Sequence, residues 1–281
     1  MQEDHLKKLL SLPSEWWRLS AISSKLSGWF SQYIVGLAIN AEYSGHYVHR
    51  VLSVFLISFD NLLLWFTAGH VIDQLKNDLS SSDVRINRMR WLDRFALKGA
   101  ESIPISTGIE AFSSKEIGIP QLDFGVIRIS GLEEVNLRKN SKVKVFSPQA
   151  WYNAENSNPE GFYLLGFPKE SLLISDESKE QPAMWINLVA IPIQRIKPEC
   201  SSEGEFWDDQ EAFYGQILSF IDNPSSQIND IDFMSGGPII SIERDPKHGL
   251  KYRLFAIQRS WLQKKRIIRA EPFNRIMPVF K

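Results

Sequence analysis

Short runs of β-branched and aromatic residues, each bounded by polar turn residues, recur along most of this 281-residue chain. Such runs are typical of β-strands. They cover residues 33–39, 51–57, 62–67, 84–88, 124–129, 142–146, 162–166, 185–192, 238–242 and 252–258. Because so many short strands occur beside so few long helical patterns, the chain is predicted to be all-β, as a barrel or a sandwich.

Two segments depart from the strand pattern and indicate how the chain is divided. The first thirty residues carry apolar residues at helical spacing, among them Leu6, Leu9 and Leu10. Residues 148–161 are rich in Asn, Ser and Pro, which is typical of a connector. We therefore expect a helical extension over residues 1–31, a first β-barrel over residues 32–155 and a second over residues 156–281.

The extension also carries three tryptophans that bear on partner proteins. Trp16, Trp17 and Trp29 give this segment an aromatic, amphipathic character. We interpret these rings as packing against the β-domains, and docking of a regulatory protein on residues 1–31 is the alternative.

Composition excludes several classes of function. The formal net charge of −1 gives no overall field that would attract nucleic acid, and the basic cluster Lys264-Lys265-Arg266 is interpreted as a solvated face. The single cysteine, Cys200, cannot form an internal disulfide. With its acidic first residues and no apolar run long enough to span a bilayer, the chain is predicted to be cytoplasmic. No spacing of His, Cys or acidic residues matches a metal site, so no metal and no cofactor are expected.

Three local motifs carry the candidate chemistry, and each lies at the end or start of a predicted strand. Thr67-Ala68-Gly69-His70 ends one strand, and Asp123 opens another. The third motif, Ser235-Gly236-Gly237-Pro238, leads into the run at 238–242.

In content and in order, these motifs resemble those of the trypsin-like (chymotrypsin-fold) serine peptidases, more closely the intracellular and bacterial members than the digestive ones. The resemblance covers roughly residues 32–270. It implies a fold of two antiparallel β-barrels with the site between them. It also implies a hydrolase that cleaves protein or peptide substrates, a serine endopeptidase without a cofactor.

The resemblance assigns a role to each motif residue. His70 corresponds to the general base, Asp123 to the acid that orients it and Ser235 to the nucleophile. A serine hydroxyl needs such a base because it is a weak nucleophile at its own pKa. Gly236 and Gly237 permit close approach of the backbone around the nucleophile.

The oxyanion of the reaction would be held by the backbone amides of Phe233 and Ser235. The family motif has glycine where this chain has Phe233, and a Cβ there disfavours some backbone conformations. Phe233 either still presents its amide or disables the site. The second case predicts a different class of protein, a catalytically silent trypsin-like module that binds a peptide or partner in the cleft.

A further strand resembles the one that lines the specificity cleft of the family. On this resemblance Gln258, Arg259 and Ser260 are candidate substrate-binding residues, with a register uncertain by one residue. Arg259 would favour acidic substrate side chains, and a solvated, outward-facing arginine is the alternative.

Overall fold

The computed structural model describes residues 20–59, 62–92, 102–104, 110–129, 131–151, 159–174, 184–197, 209–218, 230–245 and 249–280. Several sequence predictions lie outside these ranges. They are the helical pattern before residue 20 with Trp16 and Trp17, the boundary at residue 155 and Cys200. The division into domains therefore stays a prediction.

Seven strands form a first antiparallel sheet with the order β5-β4-β1-β2-β3-β7-β6. A two-residue turn, Ser44 and Gly45, joins the long strands β1 and β2, and both residues have positive φ as a tight hairpin turn of this kind requires. The strands are β1 Ile34–Tyr43, β2 His46–Phe59, β3 Leu62–Thr67, β4 Val84–Leu92, β5 Ser102–Pro104, β6 Ala111–Ser113 and β7 Gly125–Arg128.

The second sheet is a closed antiparallel barrel with the order β11-β12-β15-β14-β13-β8. A separate pair of short strands, β9 and β10, lies between β8 and β11 in the chain. The strands are β8 Gly161–Gly166, β9 Leu173–Ile174, β10 Met184–Trp185, β11 Val189–Ile196, β12 Phe213–Ile217, β13 Pro238–Asp245, β14 Gly249–Leu262 and β15 Ile267–Pro272.

Helices occupy little of the described chain. They are α1 Ser20–Phe30, α2 Gly69–Ser80, α3 Gly131–Asn140 and α4 Phe273–Ile276, with 3-10 turns at Pro148–Ala150, Lys169–Ser171, Gln263–Lys265 and Met277–Phe280. Helix α1 ends in Trp29 and Phe30, whose rings pack edge-on against Tyr252 of β14. Trp29 therefore packs against a β-domain, as we interpreted for the tryptophans of the extension.

The predicted all-β class with two antiparallel sheets is confirmed. Hydrogen bonding closes the second sheet, whereas the first is open at β5 and β6 within the described residues. The strand predicted over residues 142–146 is wrong, because only Phe146 pairs, in a single parallel bridge to Ile57. The pairing of β1 with β2 ends at Phe55, and Phe146 bonds to the edge of β2 beyond that point, at Leu56 O and Ser58 N–H.

Three cores hold these sheets together. One lies between the first sheet and helix α2, and another fills the second barrel. The third joins the two sheets, since Phe55 and Phe66 of the first share it with Tyr163 and Leu165 of the second. The segment after β15 completes this shared core: Phe273 contacts Phe55 and Phe66. Burying this apolar surface fixes how the two sheets meet.

Candidate active site

His70 and Asp123 form a hydrogen-bonded pair at the edge of the first sheet. His70 is the second residue of α2, directly after β3, and Asp123 lies just before β7. Nδ1 of His70 lies 2.8 Å from Oδ2 of Asp123. With the carboxylate as acceptor, Nδ1 carries the proton and Nε2 has a free lone pair. About half of the His70 side chain is exposed, so Nε2 is accessible to a reacting group.

The same carboxylate caps helix α2. Ala68, at the N-cap position, has no side-chain oxygen to offer. Oδ1 of Asp123 instead accepts the backbone N–H of His70 at 2.8 Å. Asp123 therefore binds His70 at two points and fixes both the start of the helix and the plane of the ring.

A chain of charges lies behind this pair. Nε of Arg259 lies 3.6 Å from Oδ2 of Asp123, and Nη1 donates to Oε1 of Glu271 at 2.8 Å. Burial favours a higher pKa for Asp123, but the hydrogen bonds and charge of His70, with that of Arg259, hold its pKa below the ordinary value. Burial raises the pKa of Glu271, and Arg259 and Arg275 counteract only part of that rise. Asp123 is thus kept ionised beside His70.

Two consecutive turns shape the segment that carries Ser235. Met234 N–H donates to Ile231 O at 2.9 Å, and Gly237 N–H donates to Met234 O at 2.8 Å. The third residue of each turn has a positive φ, 75° at Phe233 and 84° at Gly236, as a type II turn requires. Gly236 also has no room for a Cβ, which would clash with the Thr67 side chain. Phe233 adopts the same kind of backbone at a cost of roughly 1–2 kcal/mol.

The amides of this segment fall into two groups. The N–H groups of Met234, Gly236 and Gly237 donate to backbone carbonyls. Those of Phe233 and Ser235 have no acceptor among the described residues. Two donors in alternate positions are therefore free beside the Ser235 side chain, as stabilisation of a developing oxyanion requires.

Ser53 of β2 holds this turn against the first sheet. Its hydroxyl donates to Phe233 O at 3.1 Å and accepts the N–H of Phe167 at 3.0 Å. Since Phe167 follows β8, one buried hydroxyl joins both sheets to the turn.

His70, Phe233 and Ser235 line one open cavity of about 380 Å³. Asp123 does not line the cavity but is hydrogen-bonded to His70, which does. Predicted residues from two distant parts of the chain thus line one cavity, and Asp123 contacts His70 from a third part.

The weaker candidates lie elsewhere. Gln258 is buried, and its backbone bonds to Gly236 and Gly237. Arg259 does not line that cavity and is not a freely solvated arginine, because it pairs with Asp123 and Glu271 and only about a quarter (26%) of its side chain is exposed. Ser260 is half-buried on the same strand. A role of these three in substrate binding stays a prediction.

Two functional features were missed by the sequence analysis. The Arg259 contact depends on a bulge in β14 between Gln258 and Ser260, and alternation of residue types carries no signal of it. Helix α2 had a signal, the helical spacing of Val71, Ile72 and Leu75, but the surrounding strand pattern obscured it.

Lys264 and Lys265 are exposed, as the interpretation of the basic cluster as a solvated face predicts. Arg269 and Arg275 turn towards Asp209, at 3.5 and 2.6 Å, so they do not extend the basic run at 264–266 into a continuous stripe. Among the residues described, no helix has the length and apolar character needed to cross a bilayer.

No protein-family model and no curated protein matches the chain. Several of the solved structures that resemble it are proteases. The protease Anisep from Arthrobacter nicotinovorans is 11% identical, with a TM-score of 0.45 over 86% of this chain and 90% of that one. The thermostable serine protease AL20 from an extremophilic microorganism is 13% identical, with a TM-score of 0.46 over 89% and 95%. Glu endopeptidase is 13% identical, with a TM-score of 0.44, and the match covers 94% of this chain and 91% of that one.

The predicted fold of the trypsin-like serine peptidases is confirmed by the two antiparallel sheets described above, the second of them a closed barrel. Similarity at such identities and TM-scores carries no function.

Proposed function

We propose that this protein is a serine endopeptidase in which Ser235 is the nucleophile, His70 the general base and Asp123 the residue that orients His70. One observation carries the proposal: a histidine already bonded to a carboxylate lines the same cavity as a serine and two free backbone amides. Each group has the chemistry that acyl transfer needs.

The reaction would proceed through an acyl-enzyme. Nε2 of His70 accepts the proton of the Ser235 hydroxyl as Oγ attacks the carbonyl carbon of the peptide bond. The oxyanion that forms accepts hydrogen bonds from the amides of Phe233 and Ser235. His70 then protonates the leaving amine, and a water molecule activated by the same imidazole hydrolyses the ester.

Asp123 contributes by orientation and charge. Its two contacts with His70 favour the tautomer that leaves Nε2 unprotonated, and its negative charge stabilises the imidazolium formed during the reaction. The depressed pKa of Asp123 is consistent with this role, because the carboxylate stays charged well into acid.

A fluorophosphonate probe tests the proposal directly. It is expected to label the wild-type protein at Ser235, identified by peptide mass spectrometry, and not to label Ser235→Ala. Ser241→Ala is the matched control, because Ser241 is a fully buried serine of β13 in the same barrel. If folded wild-type protein is not labelled, the catalytically silent peptide-binding module becomes the better description.

A further inference from the structure

The cavity that begins at His70 continues along helix α2. Val71, Gln74, Leu75 and Asp78 line it on successive turns. From His70 to Asp78 the helix rises by about 12 Å. The cavity therefore extends well beyond the groups that take part in the proposed reaction, and its volume lies at the small end of ligand pockets.

The middle of this cavity is apolar. Ile39 and Leu52 of the first sheet face Val71 and Leu75 of helix α2 across it. Leu52 is only partly buried, so part of its apolar surface is open to an occupant. Burying an apolar side chain here removes hydrocarbon surface from water on both sides of the contact.

The far end is polar, but its groups are bonded to one another. Asp78 accepts hydrogen bonds from Tyr43 Oη at 2.7 Å and Gln74 Nε2 at 2.7 Å, and Arg50 Nη1 lies 3.1 Å from it. Because the carboxylate already accepts three hydrogen bonds and is paired with Arg50, this end offers little to a charged ligand. The other acidic lining residue, Asp232, is exposed to solvent on the turn beside Phe233. Between these two ends, the cavity favours an uncharged side chain.

The position of the cavity indicates which part of a substrate enters it. His70 has to reach the amine that leaves, so the chain after the scissile bond lies on the His70 side. The cavity is formed by the helix that His70 starts, together with the Phe233 turn, and no residue of β14 lines it.

We propose that this cavity binds the side chain of the substrate residue directly after the scissile bond and selects large apolar residues such as Leu, Met and Phe. The inference rests on the proposed peptidase function. It adds the substrate class, peptides with a bulky apolar residue on the amine side of the cleaved bond.

Cleavage-site profiling tests the inference. A proteome-derived peptide library is digested with full-length wild-type protein, and the new amino termini are sequenced. The measured quantity is the ratio of cleavage before Leu, Met and Phe to cleavage before Gly and Ala. Leu52→Trp fills the cavity and is expected to lower this ratio about tenfold or more. Leu52→Ala enlarges it and is expected to shift cleavage towards Phe and Trp.

Leu63→Trp is the matched control, because Leu63 is also a partly buried leucine of the first sheet but does not line the cavity. Its ratio is expected to equal that of wild type. Cleavage without a preference after the bond, or a ratio unchanged in both Leu52 variants, would overturn the inference while leaving the peptidase proposal intact. Absence of both cleavage and fluorophosphonate labelling would overturn the two together.

Discussion

Phe233 has a left-handed backbone while its carbonyl oxygen accepts a hydrogen bond from Ser53, which lies 180 residues earlier in the chain. A residue with a Cβ holds such a conformation only where the surrounding structure imposes it. The constraint here is partly tertiary, because the hydroxyl of Ser53 holds the carbonyl of Phe233, whereas the bond from Met234 N–H to Ile231 O closes the turn locally.

Removing the Ser53 hydroxyl should therefore impair the turn. In Ser53→Ala the carbonyl of Phe233 and the N–H of Phe167 both lose a partner, and we expect the free energy of unfolding to fall by about 1–3 kcal/mol. The rate of fluorophosphonate labelling should fall as well. Chemical denaturation and labelling kinetics measure the two effects.

Ser241→Ala is the control for this substitution. Ser241 is equally buried, but its hydroxyl has no partner among the described residues, so its loss should leave stability unchanged or raised. Equal effects of the two substitutions would contradict a specific role for Ser53.

Substitutions of Phe233 distinguish the role of its backbone from the role of its aromatic ring. Phe233→Gly relieves the positive φ, so we expect labelling to persist and stability to rise by up to about 1 kcal/mol. Phe233→Pro removes the N–H and forbids the conformation, and it should slow labelling by about two to three orders of magnitude. Phe233→Ala keeps the amide and serves as the control. Rapid labelling of the proline variant would show that this amide is not an oxyanion donor.

Arg259 should shift the acidic limb of the labelling rate. The folded pKa of Asp123 lies below its unfolded value, so the stabilisation that this carboxylate contributes is present above the unfolded pKa. It is lost as the pH falls through the depressed folded pKa. Labelling needs the His70–Asp123 pair without an extra proton, and Arg259→Gln removes a positive charge beside this pair, which favours uptake of that proton. We therefore expect the acidic limb of the labelling rate to move to higher pH.

Labelling rate against pH is the appropriate measurement for this variant. The pH dependence of global stability also contains a contribution from Glu271. Burial raises the pKa of Glu271, so this contribution has the opposite sign to that of Asp123. Arg253→Gln is the control, since Arg253 pairs with Glu243 at 2.9 Å. Identical acidic limbs in wild type and Arg259→Gln would exclude an effect of Arg259 on the site.

The sequence predicts the parts of the site that are local and leaves out those that are not. Turn and strand signals around residues 70, 123 and 235 are encoded by neighbours in the chain, and the resemblance to one family relates the three motifs to each other. The conformation of Phe233 depends on Ser53, and the position of Arg259 depends on a bulge. Neither is determined by the residues adjacent to it.

The fold follows the same distinction. Strands with continuous β-branched runs, such as β2 and β3, are predicted because the pattern and the pairing agree. Residues 142–146 have the same local preference, but among them only Phe146 forms a bridge to β2. A prediction from local preference alone therefore assigns a strand that the tertiary structure does not form there.

The shared core predicts how the protein unfolds. Phe273 is buried between the two sheets, and Phe273→Ala should lower the free energy of unfolding by about 3–5 kcal/mol. Tryptophan fluorescence and far-ultraviolet circular dichroism should report one common transition in wild type and in this variant. Two separate transitions in wild type would contradict a single cooperative unit.

The segment from Phe273 to Phe280 has a consequence for the order of events during synthesis. Phe280 packs on Phe66 and Phe124 of the first sheet, although both were translated well before it. While the polypeptide is still emerging from the ribosome, those two rings lack this neighbour. Phe66 and Phe124 therefore reach their final packing only after the segment that carries Phe280 has been synthesised.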